Sequence, residues 1–267
     1  MIDEGKRNVL GVGISAIDYE AAVDSIFAAA HASRTLKVTA LAVHGVMTGV
    51  LNPEHRWRLN RFDIVTPDGQ PVRWALNLLH GTRLRERVYG PELMARVCKR
   101  AARENVPVFL FGSRADVLKG LRRRLKELAP GLTIAGARAS LFRATTAAEK
   151  QEIENEIRAS GAKIVFVGLG CPRQEVWAHE YAGALGCPTL TVGAAFDFHA
   201  GILSQAPVAL QNVGLEWLYR LVREPRRLWR RYLLLNPAFL TLFAFQAMGL
   251  VSFTDNGSPP TEAMNYG

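Results

Sequence analysis

The sequence predicts an α/β fold, with a Rossmann-like, mostly parallel sheet, helices on both faces and a basic helical appendage at the C-terminal end. From about residue 37 to residue 196, short apolar segments rich in β-branched residues alternate with segments of helical periodicity. Strands that are apolar on both faces are typical of a parallel sheet buried between helices. After about residue 201 the composition changes, and arginine interleaves with leucine, tryptophan and tyrosine.

The elements follow one another in the order that such a sheet requires. Residues 7–19 predict a short strand or hairpin, and residues 20–33 predict the first helix. Pro91 suits the first turn of a helix, whereas Gly131 and Gly161 suit helix ends. The six strands are predicted at residues 37–43, 63–69, 106–113, 132–137, 163–170 and 188–196, and the helices between them at residues 91–106, 115–131, 146–162 and 173–186.

Length, charge and cysteine content restrict the class of protein. The 267 residues suffice for one large domain with an extension, and 49% hydrophobic with 21% charged residues is a globular composition. The net charge of +9 favours an anionic partner. The three cysteines, Cys98, Cys171 and Cys187, show no metal-ligand spacing, and their odd number suits a reducing compartment. No secretory signal begins the chain, so a cytoplasmic location is expected.

The composition divides the chain into a Rossmann-like domain at residues 1–205, a basic and apolar appendage at 206–254 and a disordered tail at 255–267. A solvated face and a nucleic-acid patch are alternative interpretations of the arginines, but no nucleic-acid-binding motif accompanies them. A basic, aromatic-rich segment followed by the uncharged residues 232–254 favours an anionic membrane surface. Polar and helix-breaking residues interrupt that uncharged stretch, so shallow insertion is preferred over a full span.

Polar residues follow several predicted strands at the edge of the sheet where open parallel sheets bind ligands. Asp68 and Gly69 occupy one such turn, Gly112 and Ser113 another, and two further clusters lie at residues 168–175 and 193–201. The glycine turn at 168–170 opens a helix, whose free N–H groups favour a phosphate. Asp68 could be only a turn residue and Asp197 only a helix cap. Together these turns predict a nucleotide-type pocket.

A dinucleotide site is the competing interpretation. Gly11, Gly13 and Ala16 are spaced as in the G-x-G-x-x-G/A fingerprint. Such a site needs an acidic residue about 20 positions further on, and none occurs between Asp24 and Glu54. An NADP-dependent oxidoreductase is therefore a disfavoured alternative.

In order along the chain, the motifs resemble the WecG/TagA/CpsF family of bacterial glycosyltransferases. The similarity covers about residues 8–240, and two of its blocks together are highly specific. Those blocks are Gly168-Leu169-Gly170-x-Pro172-Arg173-Gln174-Glu175 and Gly214-Leu215-Glu216-Trp217. Shorter matches are Val38-Thr39, Asp68-Gly69, Arg87-Val88-Tyr89-Gly90, Phe111-Gly112-Ser113, the stretch at 192–201, Gln205-Ala206-Pro207 and the arginine-rich residues 220–232.

The resemblance implies an inverting transferase that moves a sugar from a UDP-sugar to an undecaprenyl-diphosphate-linked sugar at the inner face of the plasma membrane. It implies that Asp68 is the general base, and the arginines of the appendage are expected to close over the pocket and meet the diphosphate. The candidate catalytic residues are Asp68, Gln174 and Arg220. The candidate substrate-binding residues are Thr39, His44, Gly69, Arg87, Gly112, Ser113, Gly168, Gly170, Arg173, Gln174, Glu175, Phe196, Asp197, Arg223, Arg227 and Arg230.

No Asp-x-Asp occurs in the chain, so no metal is expected, and no other cofactor is expected either. No nucleic-acid partner is expected, because no nucleic-acid-binding motif accompanies the arginines. Leu41 stands where the family pattern has an Asn, which leaves N-acetylmannosamine, its uronate and glucose all open as donor sugars. A membrane-bound nucleotide-binding protein without catalysis is the alternative from another class. The sequence leaves the oligomeric state open, a homo-oligomer included.

Overall fold

Six parallel strands form the central sheet of the protein in a computed structural model, which describes residues 1–267. They are β3 (Leu36–Leu41), β4 (Ile64–Pro67), β5 (Val108–Phe111), β6 (Ile134–Arg138), β7 (Ile164–Val167) and β8 (Pro188–Thr191). Their order across the sheet is β4-β3-β8-β7-β5-β6, so the last strand of the chain lies at the centre. The α/β fold with a parallel sheet is therefore confirmed, and a strand occurs in each of the six predicted segments.

Helices cover both faces of the sheet. Pro91 lies in the first turn of its helix as predicted, and Thr146 caps the helix that follows it through a capping box with Glu149. The helices are α1 (Tyr19–His31), α2 (Val43–Leu51), α3 (Pro53–Asn60), α4 (Gln70–His80), α5 (Gly90–Arg103), α6 (Ala115–Leu128), α7 (Ala147–Ala159), α8 (Arg173–Leu185), α9 (Ala195–Ala200), α10 (Val208–Asn212), α11 (Glu216–Arg223) and α12 (Pro225–Ala247).

Alternate residues of each strand enter opposite apolar layers. In β7, Ile164 and Phe166 join the layer that contains α1, α5 and α6, whereas Val165 and Val167 join the layer that contains α2, α4 and α8. Both layers are buried, which explains why β7 is apolar at every position. The polar groups are therefore concentrated where the strands end.

The N-terminal hairpin pairs β1 (Asp3–Val9) with β2 (Val12–Ile17) in antiparallel fashion. Leu10 and Gly11 form its two-residue turn, with positive φ values of 54° and 83°. The Gly11-x-Gly13 motif thus begins in a hairpin turn, whereas a dinucleotide fingerprint joins a strand to the helix it opens. This position contradicts the NADP-dependent interpretation.

The C-terminal appendage packs on the domain through one side of α12. Leu228, Tyr232 and Phe239 are buried, and the side chain of Gln246 accepts a hydrogen bond of 3.0 Å from the Leu10 N–H. Leu233 and Leu240 remain exposed. None of the helices combines the length and the apolar character that crossing a membrane would need. Association of this segment with a membrane stays a prediction.

Residues 255–267 are predicted to be disordered, but in the structure they lie along the domain surface. The Asn60 side chain donates to the Asp255 carbonyl at 2.8 Å, and the Glu180 carboxylate accepts the N–H groups of Met264 and Asn265, each at 2.8 Å. The polar groups of this segment find partners on the domain, which a composition-based prediction does not consider.

Candidate active site

A cavity of about 650 Å³ lies over the carboxyl ends of the central strands. Its floor consists of the turns that follow β3, β7 and β8, and arginines of α11 and α12 line the opposite side. We call this space the main cavity and define it by residues 40–42, 168–171 and 192–195 together with Arg227 and Arg230. It occupies the edge of the sheet at which open α/β folds bind ligands.

A second, smaller space adjoins it between α4, α11 and α12. This side cavity has a volume of about 100 Å³ and is lined by Gln70, Trp217, Tyr232 and Asn236, among others. The two cavities share several lining residues, so they open on common side chains. The shared residues are Ala42, His44, Asp68, Tyr89, Arg220 and Arg231.

Asp68 is the acidic group on this shared boundary. It follows β4 directly, and its N–H donates to the Leu41 carbonyl at 3.2 Å, which fixes the turn beside β3. Burial raises the pKa of the Asp68 carboxyl to about 6, Arg87 acts against this rise, and the negative charge of Glu216 adds to it. At neutral pH the carboxylate is therefore ionised and more basic than an exposed aspartate.

Arg87 connects this carboxylate to the appendage. Its guanidinium donates to Glu216 Oε2 at 2.5 Å and to Gln211 Oε1 at 3.0 Å, and it stacks over the Tyr89 ring. The Tyr89 hydroxyl donates to the other oxygen of Glu216 at 3.1 Å. Both oxygens of the Glu216 carboxylate are thus held, and α11 is fastened to the loop that precedes α5.

A second polar network supports the glycine turn of the main cavity. The Gly170 N–H donates to Gln174 Oε1 at 3.2 Å, and the Gln174 amide donates to Glu175 Oε1 at 2.8 Å. The Thr39 hydroxyl donates to the same Glu175 oxygen at 3.1 Å. Gly168 packs so closely on Phe196 that a Cβ atom would lie 2.5 Å from the ring. The network fixes the turn at the start of α8, where helix N–H groups favour an anion.

The arginines of the appendage include groups without an acidic partner. Arg220 and Arg231 line both cavities, and the Nε atom of each is buried without a hydrogen-bond acceptor. Burial lowers the pKa of Arg231, and it lowers that of His44 to about 3, an effect that the charge of Arg231 reinforces. His44 is therefore neutral at physiological pH. The site offers guanidinium donors that a phosphate could satisfy.

A comparison with known protein families identifies the class of protein to which this site belongs. The model of the Glycosyl transferase WecG/TagA/CpsF family matches residues 7–252. The chain belongs to this family. It is a glycosyltransferase, and the match covers the sheet, both cavities and the helices of the appendage.

The structure of this WecG/TagA/CpsF protein brings most of the predicted residues to the two cavities. Thr39 and Glu175 lie just beneath, buried in the network that holds Gln174. The predicted residues that line a cavity are His44, Asp68, Gly69, Arg87, Ser113, Gly168, Gly170, Gln174, Asp197, Arg220, Arg227 and Arg230.

Four predicted residues lie elsewhere. Arg173 is exposed on the outer side of α8, with its guanidinium 5.5 Å from the Tyr266 ring. Phe196 is fully buried and belongs to the core beneath Gly168. Arg223 points away from the main cavity and stacks on Tyr219. Gly112 packs on Leu169 and lines neither cavity, because its φ of 101° turns the chain so that Ser113 is presented.

Sequence reasoning missed several residues of this WecG/TagA/CpsF site. Glu216 lies in the Gly214–Trp217 block, but nothing in the sequence pairs it with Arg87, 129 residues away. Arg231 could have been found, because it lies four residues after Arg227 on one helix and therefore shares its face. The other missed residues are Gln70, Tyr89, Trp217, Tyr232 and Asn236.

Proposed function

We propose that this glycosyltransferase is an inverting enzyme that uses a UDP-sugar and extends an undecaprenyl-diphosphate-linked sugar in cell-surface polysaccharide synthesis. The hexosyl group is of the N-acetylmannosamine, mannosaminuronate or glucose type, the reaction needs no metal, and Asp68 is the general base. The position of Asp68, on the boundary of two cavities, is the observation that supports this proposal most directly.

The main cavity suits the nucleotide donor. Its glycine turn lies at the start of α8, and Arg227 and Arg230 line the opposite side. Helix N–H groups and guanidinium groups are the donors that commonly bind a diphosphate. In the absence of an Asp-x-Asp motif, these cationic groups would take the part of a metal ion at the leaving group.

The side cavity suits the acceptor. Trp217 and Tyr232 provide aromatic surfaces for a sugar ring, and Gln70 and Asn236 provide hydrogen-bonding groups. An acceptor hydroxyl there would approach Asp68 from the side opposite the donor. Asp68 then removes the hydroxyl proton as the oxygen bonds to the anomeric carbon. The bond from that carbon to the diphosphate oxygen breaks, and UDP leaves with the electron pair beside Arg220.

The appendage suits a peripheral location on the inner face of the plasma membrane. Trp229, Leu233 and Leu240 form an exposed apolar stripe along α12, and Arg226 and Arg230 are exposed near its start. Apolar and basic side chains on one helix favour the interface of an anionic bilayer. A polyprenyl-linked acceptor lies in the same interface, so the helix would hold the side cavity next to its substrate.

Replacing Asp68 tests the assigned base. We expect Asp68→Asn to reduce sugar transfer to a lipid-diphosphate-sugar acceptor by about 100-fold or more, because the neighbouring Glu216 carboxylate is already held by Arg87 and Tyr89. UDP affinity, measured by calorimetry, should stay within a few-fold. Asp24→Asn is the matched control, since Asp24 is exposed on α1 and paired with Arg100 on α5, and neither residue lines a cavity.

Two outcomes would contradict the proposal at different levels. Full activity of Asp68→Asn would exclude this residue as the base. The wild-type protein could instead bind UDP and anionic vesicles but turn over none of a broad panel of UDP-sugars and lipid-linked acceptors. That result would exclude the proposed donor and acceptor. It would favour a membrane-bound nucleotide-binding protein without catalysis.

A further inference from the structure

Beneath the glycine turn of the main cavity, three side chains with metal-binding atoms converge from separate elements. His55 lies on α3, Cys171 follows the glycine turn, and Glu175 lies in the first turn of α8. One ligand atom of each lies within 4.8 Å of the others. Because His55 is 116 residues distant from Cys171, no spacing rule applied to the cysteines could have detected this cluster.

Three polar atoms of the cluster lack hydrogen-bond partners. His55 is 2% exposed, and neither of its ring nitrogens has a hydrogen-bond partner. Glu175 is fully buried, and although its Oε1 atom accepts two hydrogen bonds, its Oε2 atom accepts none. Buried nitrogen and oxygen atoms are satisfied in the great majority of cases, because leaving one unsatisfied costs about 1–3 kcal/mol. Two such side chains beside one thiol, which itself lies within hydrogen-bonding reach of Glu175, point to a shared ligand.

We propose that His55, Cys171 and Glu175 bind a zinc ion. An imidazole nitrogen, a thiolate and a carboxylate oxygen are the three donor types that zinc takes in proteins. The thiolate and the carboxylate together balance the charge of the ion, so the loaded site is neutral and can be buried. Zinc–ligand bonds are about 2.0–2.3 Å long, so bound ligand atoms lie closer together than those of the cluster, by about 1 Å. Small rotations of the three side chains would close this gap.

The residues around the cluster indicate the structural role of the ion. Cys171 lines the main cavity, and Thr48 lies next to its thiol. Arg58 lies near His55 and favours its neutral, metal-binding form, and Arg231 lies near Cys171 and favours its thiolate. The ion ties α3 to the turn between β7 and α8. It therefore stiffens the floor of the main cavity and is separate from the sugar-transfer chemistry at Asp68.

Metal analysis of the full-length protein tests this site. Wild-type protein, equilibrated with excess zinc under reducing conditions and then desalted, should retain about one zinc per chain. Cys171→Ser and His55→Gln should retain less than about a tenth of that. Cys98→Ser is the control, since this cysteine is buried in the apolar layer on the other face of the sheet and should leave zinc content unchanged.

Cobalt provides a second readout that does not depend on activity. Cobalt-loaded wild-type protein should show the near-ultraviolet absorption of a thiolate–cobalt bond, and Cys171→Ser should lack it. Zinc should also raise the melting temperature of the wild type by several degrees and leave that of Cys171→Ser unchanged. Cys171 is half-buried, so its serine variant should fold, which circular dichroism checks. Wild-type protein without retained zinc, or a serine variant that retains as much, would overturn the proposal.

Discussion

As the proposed general base, Asp68 needs access to both substrates and a pKa close to neutral. It lies on the boundary of the two cavities, and burial raises the pKa of its carboxyl from 3.8 to about 6. We therefore expect kcat/KM to fall on the acid side of a midpoint near pH 6, because the protonated carboxyl cannot accept a proton. A pH profile of kcat/KM measures this; a midpoint near pH 4 would contradict the effect assigned to burial.

Glu216→Gln provides a second test of the pKa assigned to Asp68. The negative charge of Glu216 adds to the rise in the pKa of Asp68, and Arg87 opposes it. Removing the charge at residue 216 should therefore move the acid midpoint to lower pH. Glu92→Gln removes a carboxylate that is paired with Arg96 on the surface of α5, and it should leave the midpoint in place.

The Asp68 carboxyl also affects the stability of the fold, but here the ionised form that the reaction needs is the less favourable one. Its pKa is higher in the folded protein than in the unfolded chain, so its contribution is fully present below about pH 4 and is lost as the pH rises through 6. Asp68→Asn should therefore be more stable than the wild type at pH 8, by up to about 3 kcal/mol, with the difference vanishing near pH 3.5. Urea unfolding at both values measures it; equal stability at pH 8 would contradict the raised pKa.

At residue scale, the sequence predicts the position of turns better than the direction of side chains. Asp68 and Gln174 could be placed because each follows a strand of the sheet. Arg173 and Phe196 could not, since successive residues of a tight turn point in different directions and the turn geometry depends on its neighbours. Glu216 needed the fold itself, because its partner Arg87 lies in a different part of the chain.

At the scale of elements, the junction between β7 and α8 depends on close packing. A Cβ atom on Gly168 would lie 2.5 Å from the Phe196 ring, whereas one on Gly183, within α8, would meet nothing within 4 Å. We expect Gly168→Ala to destabilise the protein by about 1–3 kcal/mol through overpacking. Gly183→Ala, the matched control, should be neutral or stabilise by up to about 1 kcal/mol. Urea unfolding compares them, and equal free energies would contradict the contact.

The elements themselves were largely predictable, because their patterns are local. Strands such as β5 and β7 are short apolar runs, and helices such as α5 and α6 are amphipathic. The hairpin motif at Gly11 is the instructive exception, since a glycine spacing alone does not distinguish a hairpin turn from a phosphate-binding turn. Only the pairing of β1 with β2 separates the two.

At the scale of the whole molecule, the appendage has a buried face, a cationic face toward the cavities and an apolar stripe toward solvent. We expect the double variant Leu233→Glu and Leu240→Glu to bind anionic vesicles about tenfold more weakly or worse, because it loses apolar contact and gains negative charge. Both residues are exposed, so the fold should persist. Vesicle flotation measures this.

Leu141→Glu is the control for that experiment, since Leu141 is also exposed but lies between β6 and α7. Unchanged flotation of the double variant would exclude the stripe as the attachment surface. The composition predicted a basic and apolar appendage, and only the family resemblance implied that its arginines close over the pocket. That closure depends on the burial of Tyr232 and Phe239 against the domain, which no local pattern encodes.

The central position of β8 has a consequence for synthesis of the chain. β3 and β4 form one side of the sheet and β7, β5 and β6 the other, and only β8 pairs with both. Lys37 pairs with Thr189, so this step closes a loop of about 150 residues, which is slow compared with local pairing. A nascent chain that stops before residue 188 would hold two strand groups with unpaired edges, open to association with other chains. The cavity floor comes into existence only when the last strand inserts.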